Sequence, residues 1–223
     1  MSRQWEDLIQ KLVRSGILRS PNVIEALRRV PREPFLQEPV KSSAATDCPL
    51  PIGSGQTASA PHMVSIMDEA LELEVGHKVL EVGGGSGWHA STIAEIVAPS
   101  DISKESWGHV YTIERIAELA AFAKQNIIEA GYGDRVTVIH QDGTVGYPEE
   151  APYDRILVAA AGPTVPKPLI NQLKDGGVLL VPVGGAQHYQ NLVRVRKKGE
   201  TIIQENLGGV AFVPLIGKHG FQE

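Results

Sequence analysis

The chain has 223 residues, 42% of them hydrophobic, with 21 basic against 26 acidic side chains and a formal net charge of −5. That is enough apolar content for one full core and too little positive charge to gather phosphate backbones, so nucleic acid is not expected as a partner. A single cysteine, Cys48, cannot close an internal disulfide, the charged start MSRQWEDLIQ lacks a signal peptide's apolar centre, and no apolar run approaches the ~20 residues that span a bilayer.

These features lead to the expectation of a cytoplasmic protein with no membrane partner, and a monomer is expected alongside, although nothing in the sequence fixes the oligomeric state. The seven histidines include no i,i+4 pair and none near Cys48, so no metal site is expected.

Trp5, Leu8, Ile9, Leu12 and Val13 recur at helical spacing, and Ser20-Pro21 offers a cap and first-turn proline for a second helix running through Val30. The chain therefore opens with a small helical appendage. From Pro31 to Pro61 the composition turns to Pro, Gly, Ser and Thr without periodicity, too long a stretch for an ordinary connector and of the kind that is often functional. Pro61 suits the first position of a helix through Met63, Ile66, Met67 and Leu71.

Beyond it, strands and helices alternate. Strands are predicted over Lys78–Val82, His109–Ile113, Arg135–Ile139, Arg155–Val158 and Gly177–Val183, and helices over Gly87–Val97, Arg115–Ala130 and Lys167–Leu173. This pattern predicts an α/β fold with a doubly wound, mainly parallel sheet covered on both faces. Alternating runs at Tyr189–Val195 and Thr201–Leu207, joined by Lys197-Lys198-Gly199, predict a hairpin that makes the C-terminal portion antiparallel.

Gly83, Gly85 and Gly87 follow a buried strand and open a helix, so backbone can approach a ligand there without intervening Cβ atoms. A dinucleotide fingerprint needs a glycine where this chain has Trp88, which disfavours a nicotinamide oxidoreductase, and no glycine cluster fits the G-x-S-x-G of a serine hydrolase. The order E-x-G-x-G-x-G resembles the first motif of class I S-adenosylmethionine methyltransferases. Glu81 beside the turn would repel a pyrophosphate yet suit the cationic amino group of a methionine moiety. Glu114 closes the next strand, where a carboxylate can accept from both ribose hydroxyls, and Asp142, followed by Gly143, is placed to accept from an adenine amino group.

The resemblance narrows further with VPREPF (Val30 to Phe35), PLPIGSGQTASAPHMV (Pro49 to Val64), LEVGGGSGW, YDRILVAAAGPTVPKPLINQLKDGGVLLVPVG (Tyr153 to Gly184) and VPLIGKHG (Val213 to Gly220). Together these are similar to protein-L-isoaspartate O-methyltransferases, in that family's order and over nearly the whole chain. The resemblance implies a single Rossmann-like methyltransferase domain over 1–223, with N-terminal helices and active-site loop in 1–60, a cofactor-binding core in 61–184 and a hairpin with substrate-side tail in 185–223. It implies methyl transfer from S-adenosyl-L-methionine, leaving S-adenosyl-L-homocysteine, to the free carboxylate of L-isoaspartyl residues in damaged proteins or peptides.

A carboxylate is already ionised at neutral pH, so the transfer needs no general base. Ser59 is the candidate catalytic residue, through one hydroxyl hydrogen bond to that carboxylate, and Thr57 offers a second hydroxyl near cofactor and substrate. His62 is assigned to cofactor binding, with substrate contact open. An extended peptide needs a main-chain edge, for which Val158 to Ala161 and the tail Val213 to Phe221 are candidates, with Val158, Ala159, Val213 and Leu215 counted as substrate residues. His89 is expected at the helix surface or in packing, Trp88 either shields the cofactor or packs in the core, and Cys48 is expected to be inert. The competing expectations are a class I methyltransferase acting on another carboxylate or hydroxyl, and a nonenzymatic cofactor-binding subunit in which Ser59→Ala would be silent.

Overall fold

The computed structural model describes residues 2–186 and 189–222. Two helices open the chain, α1 (Arg3–Arg14), whose Trp5 N–H donates to the Ser2 hydroxyl at its cap, and α2 (Pro21–Arg29), with Pro21 in its first turn. The stretch expected to be a long loop is more structured than its composition suggests. It holds two short 3-10 turns, Glu33–Phe35 and Val40–Ser43, and an antiparallel hairpin of β1 (Leu50–Gly53) and β2 (Gln56–Ala58). Strands of four and three residues are too short to show a period, though Leu50 and Ile52 alternate inward as a half-buried strand requires.

Then follow α3 (Pro61–Leu71), β3 (Lys78–Val82), α4 (Trp88–Val97), β4 (His109–Glu114), α5 (Ala117–Glu129), β5 (Val136–His140), β6 (Tyr153–Val158), α6 (Lys167–Gln172), β7 (Leu173–Gly184), β8 (Gln190–Lys198) and β9 (Thr201–Val210). The sheet runs β5-β4-β3-β6-β7-β8-β9, parallel through β7 and antiparallel from there to β9. The mixed, doubly wound sheet is the one expected. β7 begins four residues earlier than expected, because Lys174-Asp175-Gly176-Gly177 looks like a turn in sequence but continues the strand with its first polar residues exposed.

All ten residues of α4 are buried, as an apolar helix requires when covered on every side. The appended helices supply one of its covers: Trp5 and Trp88 meet edge to face, centroids 5.8 Å apart at 73°, a contact worth ~0.5–1.5 kcal/mol beyond its buried area. The appendage is therefore part of the main core.

Chain order reverses at β3, which runs outward to β4 and β5 on one side and to β6 on the other. In open α/β sheets ligands bind at the carboxyl ends of the strands at that reversal. The glycine turn after Val82 stands there.

Candidate active site

Gly83 and Gly85 both sit at positive φ, +96° and +54°, which lets the chain turn sharply out of β3. The Gly85 N–H donates to Glu114 Oε2 at 3.0 Å, and the Ile116 N–H donates to Oε1 of the same carboxylate, also at 3.0 Å. Glu114 is thereby fixed at the end of β4 with lone pairs to spare. Gly83, Gly85, Glu114 and Gly143 line one cleft together with Thr57, Ala159, Val213 and Leu215. Gly87 is absent from that lining: a Cβ there would lie 2.8 Å from Ile127, so this glycine serves the contact between α4 and α5.

Beneath the turn, Glu81 is fully buried. Thr112 donates its hydroxyl to Oε2, while Oε1 has no hydrogen-bond partner among the described residues. Burial pushes this carboxyl up to about 7, working against the pull of the neighbouring His89 and the Thr112 hydroxyl. Glu81 lines a second small cleft with Thr57, Ser59, Gly83, Gly85, His89 and Ala159, continuous with the first through shared walls. A buried, partnerless carboxyl oxygen at the end of the sheet where open α/β folds bind ligands is what a cationic amino group would satisfy.

His89 is neither at the helix surface nor simple packing. Its Nε2 lies 2.9 Å from Asp68 Oδ1 on α3, and its Nδ1 lies 3.9 Å from Glu81 Oε1. Trp88 is buried in the core, where its Nε1 donates to the Val30 carbonyl, and it also contributes to the lining of the second cleft.

The hairpin carries the hydroxyls. Thr57, exposed on β2, and Ser59, half-buried between β2 and α3, face the cleft across from the glycine turn. Ala60, not Ser59, occupies the cap position of α3, so the Ser59 hydroxyl is not spent on capping. The same residues also border an outer cavity of about 470 Å³ with His62, Met63, Ala159, Tyr189, Phe212 and Val213. His62 lines that outer cavity and neither cleft at the glycine turn; its Nδ1 and backbone N–H both approach Asp47 Oδ1, at 2.8 and 2.9 Å. Its placement favours the outer, substrate-side alternative over cofactor contact.

Two expected peptide edges turn out to be partners of each other. The Ala161 N–H donates to Val213 O and the Leu215 N–H donates to Ala161 O, both at 2.8 Å, so the tail is stitched alongside the end of β6. Val158 is fully buried, facing the core with Leu80 and Val82, and does not reach the cleft; one residue on, Ala159 lines the outer cavity and both clefts. Leu215 is buried against the cleft wall.

Asp142 stands at the rim, on a separate depression formed with Arg115 and the tail. Its Oδ1 accepts from the N–H and hydroxyl of Thr144, and its Oδ2 accepts from the Lys218 N–H at 2.8 Å. In this arrangement it ties down the tail, and only its neighbour Gly143 faces the cleft.

A family model described as protein-L-isoaspartate(D-aspartate) O-methyltransferase matches residues 3–220. The chain belongs to that family. A protein-L-isoaspartate O-methyltransferase of Hyperthermus butylicus is 54% identical over 97% of this chain and 90% of its own length, and one of Thermococcus sibiricus is 53% identical over 99% and 97%. The fold superposes with a TM-score of 0.83 on a crystal structure from Plasmodium falciparum assigned to the same enzyme in complex with S-adenosyl-L-homocysteine, at 26% identity over 96% of this chain and 99% of that one. A second solved protein-L-isoaspartate O-methyltransferase gives 0.85 at 29% identity, covering 96% of this chain and 67% of that one.

Within this methyltransferase architecture, sequence reasoning missed Arg32, Asp47 and Asp68. Arg32 is wholly buried and clamps carbonyls of the loop leading to Ser59. Its position inside VPREPF, a charge among apolar and proline residues, was the available signal. Asp47 and Asp68 had none, since their partners are set by tertiary packing.

Proposed function

We infer that the chain is a protein-L-isoaspartate O-methyltransferase that uses S-adenosylmethionine to esterify the free carboxylate of L-isoaspartyl residues in damaged proteins or peptides. The observation that carries the site assignment is the placing of two uncommitted hydroxyls, Thr57 and Ser59, opposite a buried carboxylate oxygen without a partner, Glu81 Oε1, around one cleft that opens into the outer cavity.

When bound, S-adenosylmethionine supplies an electrophilic methyl group on a sulfonium. Glu81 would hold its amino group, Glu114 its ribose hydroxyls, and Gly83, Gly85 and Gly143 the close backbone walls around it. Ser59, with Thr57 beside it, would orient the substrate carboxylate from the outer cavity, each donating a hydroxyl hydrogen. Because that carboxylate is already an anion, no side chain has to remove a proton, and catalysis rests on alignment and exclusion of water. The substrate carboxylate oxygen gains the methyl, leaving S-adenosyl-L-homocysteine, and the ester later closes to a succinimide as the backbone amide nitrogen displaces methanol, with hydrolysis of that ring returning some normal aspartate.

The free volume of the cleft at the glycine turn, about 70 Å³, lies below the ~300–1,000 Å³ of typical ligand pockets. Its walls include residues of the β1–β2 hairpin and of the Val213–Ile216 tail segment, the two elements whose outward movement would widen it. A monomer in the cytoplasm, with neither nucleic acid nor membrane as partner, completes the proposal; the net charge of −5 supports it, and no helix among the described residues is long and apolar enough to cross a membrane.

The test is transfer of labelled methyl to two peptides differing only in L-isoaspartate or L-aspartate at one position. Base-labile label in the isoaspartyl peptide alone is expected. Label in neither, with S-adenosylhomocysteine binding intact, would overturn the substrate assignment.

A further inference from the structure

The chemistry described so far makes no use of the buried pair Asp68–His89, yet the pair lies directly behind the carboxylate assigned to the cofactor's amino group. Asp68 and Glu81 are each about fully buried, and His89 between them is 8% exposed. Three ionisable side chains from α3, α4 and β3 thus meet behind the glycine turn, and among the described residues two of their oxygens, Asp68 Oδ2 and Glu81 Oε1, have no hydrogen-bond partner. A group of this kind is costly unless its charges serve one another.

We propose that His89, held by Asp68, is a positioning residue that keeps Glu81 ionised and aimed at the cofactor's amino group. This rests on the assignment of Glu81 to that amino group.

The geometry favours a charge role over a hydrogen-bonding one. The imidazole Nε2 is engaged at 2.9 Å by Asp68, which fixes the ring, while Nδ1 stands 3.9 Å from Glu81 Oε1, too far to consume that oxygen's lone pair but close enough to stabilise its negative charge. Oε1 therefore remains free to accept from a ligand cation. The other charged groups facing the cluster are Glu69 on α3 and Glu114 on β4, both carboxylates. Among the described residues, His89 is thus the cationic candidate beside the carboxylates that bear on Glu81.

Burial opposes charge on the imidazole, but Asp68 and then Glu81 outweigh it and hold its pKa above the usual histidine value. Burial likewise raises Glu81, to about 7, against the opposing influence of His89. Without the imidazolium the carboxyl would sit higher still and be protonated over more of the neutral range. A protonated carboxyl offers no charge to an ammonium group.

The sign follows. Cofactor binding needs ionised Glu81, so affinity should fall as pH drops through the carboxyl's pKa, and removing the His89 charge should move that fall to higher pH.

The experiment is the dissociation constant of S-adenosylhomocysteine, by calorimetry between pH 5.5 and 9, for the unaltered chain, His89→Gln and Asp68→Asn. Alongside it runs an NMR titration of the His89 ring in the ligand-free protein. Glutamine can still donate to Asp68 but cannot carry charge. A shift of the acid limb by one pH unit corresponds to about tenfold weaker binding on that limb. His89→Gln is expected to show that loss below pH 7 and to converge with the unaltered chain near pH 9, Asp68→Asn to shift the limb in the same direction, and the ring to be protonated at pH 7.

Superimposable pH profiles for His89→Gln and the unaltered chain, or a neutral ring at pH 7, would overturn the inference while leaving the cofactor assignment standing. Equal weakening at every pH would reduce His89 to a packing role and overturn it too. No binding of S-adenosylhomocysteine by the unaltered chain would remove the assignment on which it rests.

Discussion

The Arg32 guanidinium donates from Nη2 to the carbonyl oxygen of Ala58 at 2.9 Å, one residue before Ser59, while Nη1 donates to Cys48 O at 3.1 Å. One buried side chain thereby ties both strands' flanks of the hairpin to the Trp88 ring, 5.4 Å beneath it. Burial lowers its pKa to about 10, so it remains cationic at neutral pH. Lysine carries the charge without the planar fork. Arg32→Lys and Arg32→Met should each lower kcat on an isoaspartyl peptide by about tenfold to a hundredfold, because a small displacement of an orienting group has that effect. Thermal melting should move little for Arg32→Met, since loss of the carbonyl bonds is offset by removal of a buried charge.

Ser59→Ala tests the neighbouring claim. One hydrogen bond to a charged group contributes ~1.5–3 kcal/mol, so methyl transfer should fall by about tenfold to a hundredfold. Binding of S-adenosylhomocysteine should be unchanged. An unaltered rate would favour the nonenzymatic or differently oriented alternatives.

His62 separates the two sides of the site. Its ring borders the outer cavity and is fixed by Asp47, so His62→Ala and Asp47→Asn should raise KM for the peptide by several-fold while leaving the dissociation constant of S-adenosylhomocysteine within about twofold. A weakened cofactor with an unchanged peptide KM would restore the cofactor role expected from sequence.

The difference between what sequence conveys and what it hides is physical. The glycine turn, Glu81 and Glu114 were legible because a buried strand, a break and a helix start leave a local pattern, and acids at successive strand ends meet wherever parallel strands adjoin. Of the neighbouring pair Val158 and Ala159, both expected at the substrate, only Ala159 reaches the cleft, because strand side chains alternate and a step of one residue exchanges the core for the cleft. The pairing of His89 with Asp68 was invisible, since it depends on how α3 and α4 rotate against each other. The stitching of the tail to Ala161 likewise follows from tertiary placement, which made two peptide edges look available where the chain uses each to cover the other.

Glu81 should be a site where function opposes stability. Its folded pKa of about 7 lies above the ordinary value of 4.5, so between those two values the folded state binds the proton more tightly than the unfolded chain. Stability contributed by the protonated form is therefore present at pH 4.5 and declines as pH rises towards 7 and beyond. Glu81→Gln removes that decline, with a gain of up to ~3 kcal/mol at pH 7.5 and none near pH 4.5, measurable by denaturant unfolding. The same variant should bind S-adenosylhomocysteine more weakly. A variant less stable at pH 7.5 than the unaltered chain would mean that the charge of Glu81 holds the core together instead.

Asp142 accepts from the Lys218 amide, one of several bonds that dock the tail. Partial burial disfavours its charge, but the N–H of Lys218 and the hydroxyl and N–H of Thr144 outweigh this and hold its pKa below the usual aspartate value. Its contribution to tail docking is thus complete above the ordinary 3.8 and is lost as pH falls through the lower folded value. Asp142→Ala should reproduce that loss at neutral pH. The Lys218 amide loses its acceptor directly, but Leu215, which donates to Ala161 O, and Phe221, which donates to Leu215 O, keep theirs unless the tail lifts as a unit. Faster hydrogen exchange at all three amides is the expected result, together with faster association of S-adenosylhomocysteine, because the tail is one wall of the narrow cleft. Faster exchange confined to Lys218 would show that the pairing with Ala161, together with the His219 amide's bond to Thr144 Oγ1, holds the wall in place without Asp142.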